Sequence, residues 1–422
     1  MREMKDSGIE WVGQIPFSWD VKPIRAKFRE VTEKNKLGIE KNALKFTYGN
    51  IVKKDNFDAA DDDYVANTIL NYMVVNPGTI MLNGLNLNFD FVTQRVALVK
   101  ERGIITSAYI AFAPILDDDI STQFFTYLLK AYDSCKAFHN MGGGVRKILN
   151  FAELKKQYIV YPTITEQKRI ANFLDAKCAE IDALTADIQT QIGILEQYKR
   201  SIITEAVTKG LNPDVEMKDS GIEWIGEIPV TWDIIRGKYL LKYLQKPVKE
   251  DDGVITCFRD GEVTLRSNRR EDGFTMSDKE IGYQGIDAGD LVVHGMDGFA
   301  GAIGISDSRG KASPVLNVMD TKQNKRYIMY YLRSMAYSDV FVALATGIRV
   351  RSCDLRWNKL ADLSYPVPSI EEQTAIVEYI DTTLEKTDVV ISKKKAQLET
   401  LDEYKKSLIY EYVTGKKEVP SI

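Results

Sequence analysis

Two glycine-arginine loops are the segments of this sequence best suited to contact a ligand. Residues 142–147 read GGGVRK, and residues 346–351 read TGIRVR. Their basic residues are Arg146, Lys147, Arg349 and Arg351. Glycine lets a backbone approach another surface closely, and arginine can bind phosphate or guanine through two hydrogen bonds. We therefore predict nucleic-acid contacts from these loops; the alternative is that each arginine pairs with a carboxylate of the following helix.

Two further polar residues occupy matching positions after short β-rich runs. Asn83 follows TIML and His294 follows DLVV, and a glycine comes directly after each. Such a side chain can reach a base edge, or it can form a turn with its own backbone. Both interpretations stay open. Candidate phosphate contacts nearby are Lys53, Lys54, Arg266, Arg269 and Arg270.

Residues with catalytic or metal-binding spacing are missing from the sequence. The only histidines are His139 and His294, and the four cysteines stand far apart with no CxxC pair. The segment GISDSRGKAS has the wrong spacing for a phosphate-binding P-loop. We therefore expect reduced thiols, no metal site and no catalytic residue in this chain.

The composition is that of an ordinary globular protein, with 44% hydrophobic and 27% charged residues in 422. We expect two to four domains, no membrane span, no secretion signal and a cytoplasmic location. With a net charge of −4, any DNA-binding face must be a local concentration of lysine and arginine, or partner subunits supply part of the positive charge.

Two interleaved repeats organise the chain. The segment MKDSGIEWVGQIPFSWD at residues 4–20 recurs as MKDSGIEWIGEIPVTWD at residues 217–233. A match of this length indicates a duplication. We expect its tryptophans to pack each short repeat onto its neighbours: Trp11, Trp19, Trp224 and Trp232.

The second repeat predicts two long helices, over residues 162–207 and 368–413. Thr163 with Glu166, and Ser369 with Glu372, have the spacing of capping boxes. Apolar residues then recur about every seven positions, which is typical of a coiled-coil seam. The predicted packing positions are Leu174, Ile181, Ile188, Leu195, Ile202, Leu384, Ile391, Leu398, Leu401 and Leu408.

Each long helix follows an insert with short β-rich runs and one helical segment. The chain therefore divides into residues 1–160, 161–212, 213–365 and 366–422, as repeat with insert, helix, repeat with insert, and helix. We predict an α+β fold in which two mixed α/β recognition domains are separated by two long antiparallel coiled-coil helices, as a pseudo-twofold tandem duplication.

At this point the chain resembles the DNA specificity subunits of Type I restriction-modification systems, over essentially its whole length. The resemblance depends on the two MKDSGIEW segments, the P-x-x-x-E-Q helix starts, and the helix ends LEQYKRSII and LDEYKKSLI. The GDLV and SP turns of the second insert, at residues 289–292 and 313–314, add to it.

The resemblance implies a non-catalytic subunit that reads a bipartite, asymmetric site in double-stranded DNA with a fixed gap. It implies two modification subunits and additional restriction/translocase subunits as partners. S-adenosylmethionine, ATP and Mg are then expected on those partners, with no cofactor in this chain. The alternatives are a coiled-coil adaptor that does not recognise a DNA sequence, and a single-chain enzyme with its own nuclease or methyltransferase activity.

Overall fold

The computed structural model of the chain describes residues 2–54, 69–91, 94–116, 118–143, 145, 147–269, 281–344 and 355–420. The chain forms two compact units. Unit 1 comprises Met1–Ile188 and Ala396–Ile422, and unit 2 comprises Gln189–Lys395. Each unit therefore contains part of both long helices, and the units cut across the four segments predicted from chain order.

Unit 1 is built from twelve short strands in its described part. These are β1 (Met4–Asp6), β2 (Gln14–Pro16), β3 (Asp20–Pro23), β4 (Phe28–Glu30), β5 (Leu44–Thr47), β6 (Asn50–Lys53), β7 (Met73–Val75), β8 (Ile80–Leu82), β9 (Val96–Leu98), β10 (Gly103–Ile105), β11 (Ile110–Pro114) and β12 (Tyr158–Tyr161). Its α-helices are α1 (Thr122–Ser134), α2 (Phe151–Leu154), the first part of α3 (Ile164–Lys209) and the last part of α8 (Ile370–Val413).

The described part of unit 2 has a matching set of strands. These are β13 (Met217–Asp219), β14 (Glu227–Pro229), β15 (Asp233–Arg236), β16 (Leu241–Tyr243), β17 (Ile255–Cys257), β18 (Val263–Leu265), β19 (Gln284–Ile286), β20 (Leu291–His294), β21 (Ile303–Ile305), β22 (Gly310–Ala312), β23 (Leu316–Thr321) and β24 (Ser364–Val367). Its own helices are α4 (Gly237–Leu240), α5 (Lys325–Tyr337), α6 (Val340–Ala343) and α7 (Trp357–Asp362).

The strands of the two units pair in the same order. Unit 1 has a four-stranded sheet β4-β11-β8-β9 and the pairs β1-β2, β3-β12, β5-β6 and β7-β10. Unit 2 has the sheet β16-β23-β20-β21 and the pairs β13-β14, β15-β24, β17-β18 and β19-β22. The neighbouring strands run antiparallel throughout both sets. This repetition confirms the predicted tandem duplication of mixed helix-and-strand domains.

Each insert buries one amphipathic helix in its core. Ser121 begins α1 by accepting a hydrogen bond from the backbone of Phe124, and Asn324 begins α5 in the same way. In α1, Phe124 and Leu128 are fully buried and lie one turn apart. Since residues four apart share a helix face, that face packs into the core and the opposite face stays polar.

The start of each long helix is tied to the tryptophan of a short repeat. Glu166 N–H donates to Thr163 Oγ1 at 3.4 Å, so the N-cap half of the predicted capping box is present. The other half of the prediction is wrong. The Glu166 carboxylate accepts the indole N–H of Trp19 at 2.8 Å and pairs with Arg2 at 2.5 Å. In unit 2, Glu372 likewise accepts from Trp232 at 3.0 Å.

The glutamine that follows each of these glutamates fastens the insert helix to the long helix. Gln167 is fully buried and its Oε1 accepts the backbone N–H of Ser121 at 2.8 Å. Gln373 does the same for Asn324 at 2.9 Å. Both glutamines therefore hold the residue at which the insert helix begins.

The long helices end against the same short repeats. Gly415 follows α8 with φ +73°, and a Cβ atom there would lie 2.4 Å from Pro16 and 3.1 Å from Trp19. Gly210 follows α3 with φ +76°, and a Cβ atom would lie 3.3 Å from Trp232. The left-handed backbone favours glycine at both places, and at Gly415 a Cβ atom would also clash with Pro16. Each short repeat therefore holds the start of one long helix and the end of the other.

The two long helices pair in antiparallel fashion within each unit. In unit 1, Phe173 packs against Tyr412 with ring centroids 4.5 Å apart, and Asp182 pairs with Lys405 further along. All ten predicted seam positions are buried or half-buried.

The four repeat tryptophans are buried to different degrees. Trp19 and Trp232 are completely buried, whereas Trp11 is half-buried and Trp224 is 39% exposed. The second tryptophan of each repeat is the completely buried one, and its indole N–H binds the first turn of a long helix.

Candidate nucleic-acid interface

Three of the predicted DNA-contacting residues lie around one groove of unit 2. Arg266, Arg269 and His294 line a cavity of about 550 Å³. The β17-β18 hairpin and its flanking residues form one wall, and the end of β20 forms another. The fold thus brings together basic side chains that are separated in the sequence.

The arginines of this groove already have polar partners. The guanidinium of Arg269 lies 2.6 Å from Asp260 and 3.1 Å from Glu262, and it stacks over the ring of Phe258 at 4.2 Å. Partial burial opposes the effect, but hydrogen bonds from Arg269 hold the pKa of Asp260 below its ordinary value. A phosphate must therefore compete with these carboxylates for Arg269.

Two other arginines complete the wall. Arg266 Nε lies 3.4 Å from Thr256 Oγ1, and Arg259 Nη2 lies 2.8 Å from Asp297 Oδ1. The sequence did not single out Arg259. The sequence feature that could have identified Arg259 is the FRDGE turn between two β-rich runs, because a basic residue next to a tight turn is well placed to face a ligand.

His294 acts as the acceptor of a tight turn at the end of β20. Its Nδ1 accepts the backbone N–H groups of Met296 at 3.2 Å and Asp297 at 2.9 Å. Because Nδ1 accepts, the neutral ring carries its proton on Nε2, which is then available as a donor. Burial lowers the pKa of His294, which favours that neutral form.

Asn83 has the corresponding position at the end of β8. Its Oδ1 accepts the backbone N–H of Leu85 at 3.1 Å, so its side chain also forms a turn. The turn-forming interpretation of both residues is therefore observed. It leaves the amide nitrogen of Asn83 and Nε2 of His294 for a ligand, and contact with a base stays a prediction.

The basic pair of unit 1 is equivalent to part of the groove of unit 2. Lys53 ends β6 and Lys54 follows it, and both are exposed. The backbone N–H of Lys54 donates to Ala43, as that of Arg266 donates to Val254. Lys54 and Arg266 thus occupy the same position of the duplicated fold, which the sequence alone did not reveal.

The glycine-rich loop of unit 1 contacts the segment after Asn83. Lys147 adopts φ +35°, and its carbonyl accepts the backbone N–H of Leu87 at 3.2 Å. Asn88 Nδ2 donates to the carbonyl of Val145 at 3.0 Å. The predictions on Arg146, Arg270, Arg349 and Arg351 lie outside the described residues.

A buried arginine that the sequence analysis missed shapes the Asn83 loop. Arg95 is completely buried, and its guanidinium donates to the carbonyls of Asn83 at 3.0 Å, Leu85 at 2.8 Å and Asp90 at 2.6 Å. The sequence feature that could have identified Arg95 is its position directly before the apolar run VALV. Arg95 fixes the loop from within, so it positions Asn83.

The described residues also bear on metal binding and on membrane insertion. Within the described ranges, no three side chains of the metal-ligating types His, Cys, Asp and Glu converge closely enough to hold a metal ion. None of the described helices combines the length and apolar character of a membrane span.

Comparison with known proteins gives one family profile. The profile described as the Type I restriction modification DNA specificity domain matches residues 23–193. Two relatives come from Methanocaldococcus jannaschii. The Type I restriction enzyme MjaVIII specificity subunit is 25% identical over 81% of this chain and 80% of its own length. The putative type I restriction enzyme MjaX specificity subunit is 22% identical over 97% and 96%.

Two solved structures share the fold. A chain from a study of complex assembly and conformational transition of the type I R-M system has a TM-score of 0.67 and 12% identity, covering 96% of this chain and 99% of that one. The HsdS subunit from Thermoanaerobacter tengcongensis has a TM-score of 0.50 and 12% identity, covering 96% and 98%.

Proposed function

The chain belongs to the family of Type I restriction-modification DNA specificity subunits, and we propose that each of its two units reads one half of a bipartite DNA site. One observation carries this proposal. The duplicated fold places polar residues of different type at equivalent positions: Lys54 and Arg266 after one hairpin, and Asn83 and His294 after one strand. Two equivalent readers with different side chains recognise an asymmetric site.

We assign the proposed contacts by their chemistry. The cations of the hairpins are suited to phosphates. Lys53 and Lys54 are exposed in unit 1, and in unit 2 Arg269 is exposed while Arg266 is half-buried. Asn83 and His294 present a side-chain donor from a rigid turn, which suits a base edge. The same role is proposed for the basic residues of the loops and the basic cluster: Arg146, Lys147, Arg270, Arg349 and Arg351.

The long helices are the proposed scaffold for the partner subunits. Apolar side chains stay exposed on them, including Ile194 at 58%, Tyr404 at 55% and Val389 at 50%. Exposed apolar side chains on a helix suit a protein partner. We propose that two modification subunits bind there and supply S-adenosylmethionine, and that restriction/translocase subunits supply ATP and Mg. This chain would itself be non-catalytic, and the complex would act in the cytoplasm.

The test is genome-wide adenine-methylation mapping in a host that expresses this chain with its modification subunit. We expect one gapped, asymmetric motif, with half-sites about one helical turn apart, centre to centre. Replacing residues 234–365 by the corresponding segment of another family member should change one half of the motif and leave the other half intact. An assembled complex that produces no motif would favour the adaptor alternative.

A further inference from the structure

Unit 1 contains a polar cleft that none of the predicted DNA-contacting residues lines. Its volume is about 670 Å³, which lies in the range of small-molecule sites. The walls come from α1, the turn between β5 and β6, and the parts of α3 and α8 that belong to unit 1. Such a cleft is large enough for a small metabolite.

Lysine side chains converge in this cleft. Lys100, Lys130, Lys405 and Lys406 line it, together with carboxylates that already have partners. Asp182 pairs with Lys405 and Asp402 with Lys406, each at 2.5 Å, and Asp175 accepts from Tyr127. Lys130 is half-buried, and its ammonium group has no ion-pair or hydrogen-bond partner within the described part of the chain. Its burial and the neighbouring ammonium groups of Lys405 and Lys100 lower the pKa of Lys130. A partly desolvated cation beside two others is an arrangement that an anion would stabilise.

A buried carboxyl group in the same cleft has one oxygen without a partner among the described residues. Asp133 is 7% exposed, and its Oδ2 accepts the backbone N–H of Arg95 at 2.8 Å. Its Oδ1 is buried without a hydrogen bond from any described residue. Burial raises the pKa of Asp133, and the hydrogen bond from the backbone of Arg95 opposes that rise. A hydroxyl group can donate to the ionised form and accept from the neutral one, so it suits both states.

The equivalent region of unit 2 shows that the fold does not require these polar groups. The hydrogen bond from Tyr127 to Asp175, at 2.7 Å, recurs in unit 2 between Tyr330 and Asp381, at 2.5 Å. This pair fixes the correspondence of the two regions.

The residues around that shared pair differ between the units, and the two unpartnered groups of unit 1 have no counterpart at these positions of unit 2. The position of Asp133 is taken by Ala336, and that of Lys130 by Arg333. Arg333 donates to the carbonyl of Ile303 at 2.8 Å, so this cation is satisfied within the protein. The unpartnered cation and carboxyl oxygen are therefore special to unit 1.

We propose that this cleft binds a small phosphorylated metabolite of sugar-phosphate size. Its phosphate would lie among Lys100, Lys130 and Lys405, and its hydroxyl group would bond to Asp133. Phosphate supplies several acceptor oxygens for ammonium donors.

The test uses the full-length chain and ³¹P NMR titrations with inorganic phosphate and with ribose 5-phosphate. We expect ribose 5-phosphate to bind more tightly than inorganic phosphate. Lys130→Ala should weaken both by about tenfold or more, as expected for loss of a charge-assisted bond. Asp133→Ala should bind phosphate as before and lose the preference for ribose 5-phosphate.

A matched control is Lys393→Ala, because Lys393 lines the corresponding groove of unit 2 and should be dispensable. Lys130→Met, which keeps most of the apolar stem, replaces Lys130→Ala if thermal unfolding shows that the latter does not fold. Absence of binding by the native chain, or equal binding by the Lys130 variants, would overturn the proposal. A further outcome would also overturn it: duplex DNA displaces phosphate, and Lys130→Ala loses as much affinity for DNA as for phosphate. These lysines would then bind the DNA backbone.

Discussion

The Nζ atom of Lys405 lies 2.5 Å from Oδ1 of Asp182 on the neighbouring long helix. Unit 2 has the same pair at the equivalent positions, where Lys199 lies 2.6 Å from Asp388. All four side chains are partly exposed, and such pairs contribute at most about 1 kcal/mol. Each pair instead matters for alignment, because it favours one register of the antiparallel helices in its unit.

Replacing Trp19 by phenylalanine should destabilise unit 1. The indole N–H of Trp19 donates to Glu166, which sits in the first turn of α3. Losing a hydrogen bond to a carboxylate at a completely buried side chain costs about 2–3 kcal/mol. Urea unfolding followed by circular dichroism measures the change in the free energy of unfolding.

Trp11 supplies a control for that experiment within the same short repeat. Its indole N–H is buried and donates to no acceptor among the described residues. Trp11→Phe therefore removes no hydrogen bond, and it should cost at least about 1 kcal/mol less than Trp19→Phe. Equal costs for the two variants would mean that the bond to Glu166 contributes nothing to stability.

The contrast between these tryptophans shows where sequence reasoning reached its limit. The heptad spacing predicted both long helices, observed as Ile164–Lys209 and Ile370–Val413, because apolar periodicity is local information. The spacing of Glu166 from Thr163 also predicted a capping box. That carboxylate binds Trp19 instead, a partner far away in the sequence.

The same limit applies to the candidate interface. The sequence identified His294 and Arg266 separately, but only the sheet pairing places them in one groove. The equivalence of Lys54 and Arg266 was also hidden, because it depends on which backbone carbonyl each residue binds. Arg95 was missed since a buried arginine has no signature besides its charge next to an apolar run.

The seam positions of α3 should differ in their contribution to stability according to burial. Leu174 is completely buried in the core of unit 1, whereas Leu195 is half-buried. Leu174→Ala should lower the free energy of unfolding by about 3 kcal/mol and Leu195→Ala by about 1 kcal/mol. The second change is smaller because it leaves a smaller cavity and removes less buried apolar surface. Differential scanning calorimetry of both variants provides the comparison. A larger cost for Leu195→Ala would show that the seam is strongest away from the insert core.

Acid should destabilise unit 2 through His294. Burial lowers the pKa of this imidazole, so the unfolded chain binds the proton more readily than the folded chain. The stability that His294 contributes is therefore present above the unfolded pKa of about 6.5 and is lost as the pH falls through the folded value. The free energy of unfolding, measured between pH 7.5 and 5 (about the range in which imidazole titrates), should fall more steeply for the native chain than for His294→Asn.

The asparagine variant is a suitable reference because Asn83 forms the corresponding turn in unit 1 through its own side chain. It keeps an acceptor for the turn and removes the titrating group. Parallel pH profiles for the two proteins would mean that protonation of His294 leaves the turn unchanged.

The last prediction separates phosphate contacts from base contacts in the two units. Lys54→Ala and Arg266→Ala alter equivalent positions, and each should reduce the slope of log affinity against log salt by about one if the residue binds a phosphate. Affinity is measured for the full complex on its own DNA site over a range of salt concentrations. Lys359→Ala, which changes a lysine of α7 that does not line the groove, is the control and should keep the native slope. Arg266→Ala could instead keep the native slope and relax the sequence specificity at one base of one half-site. That outcome would mean that the guanidinium contacts a base edge, with its hydrogen bond to Thr256 holding it in position.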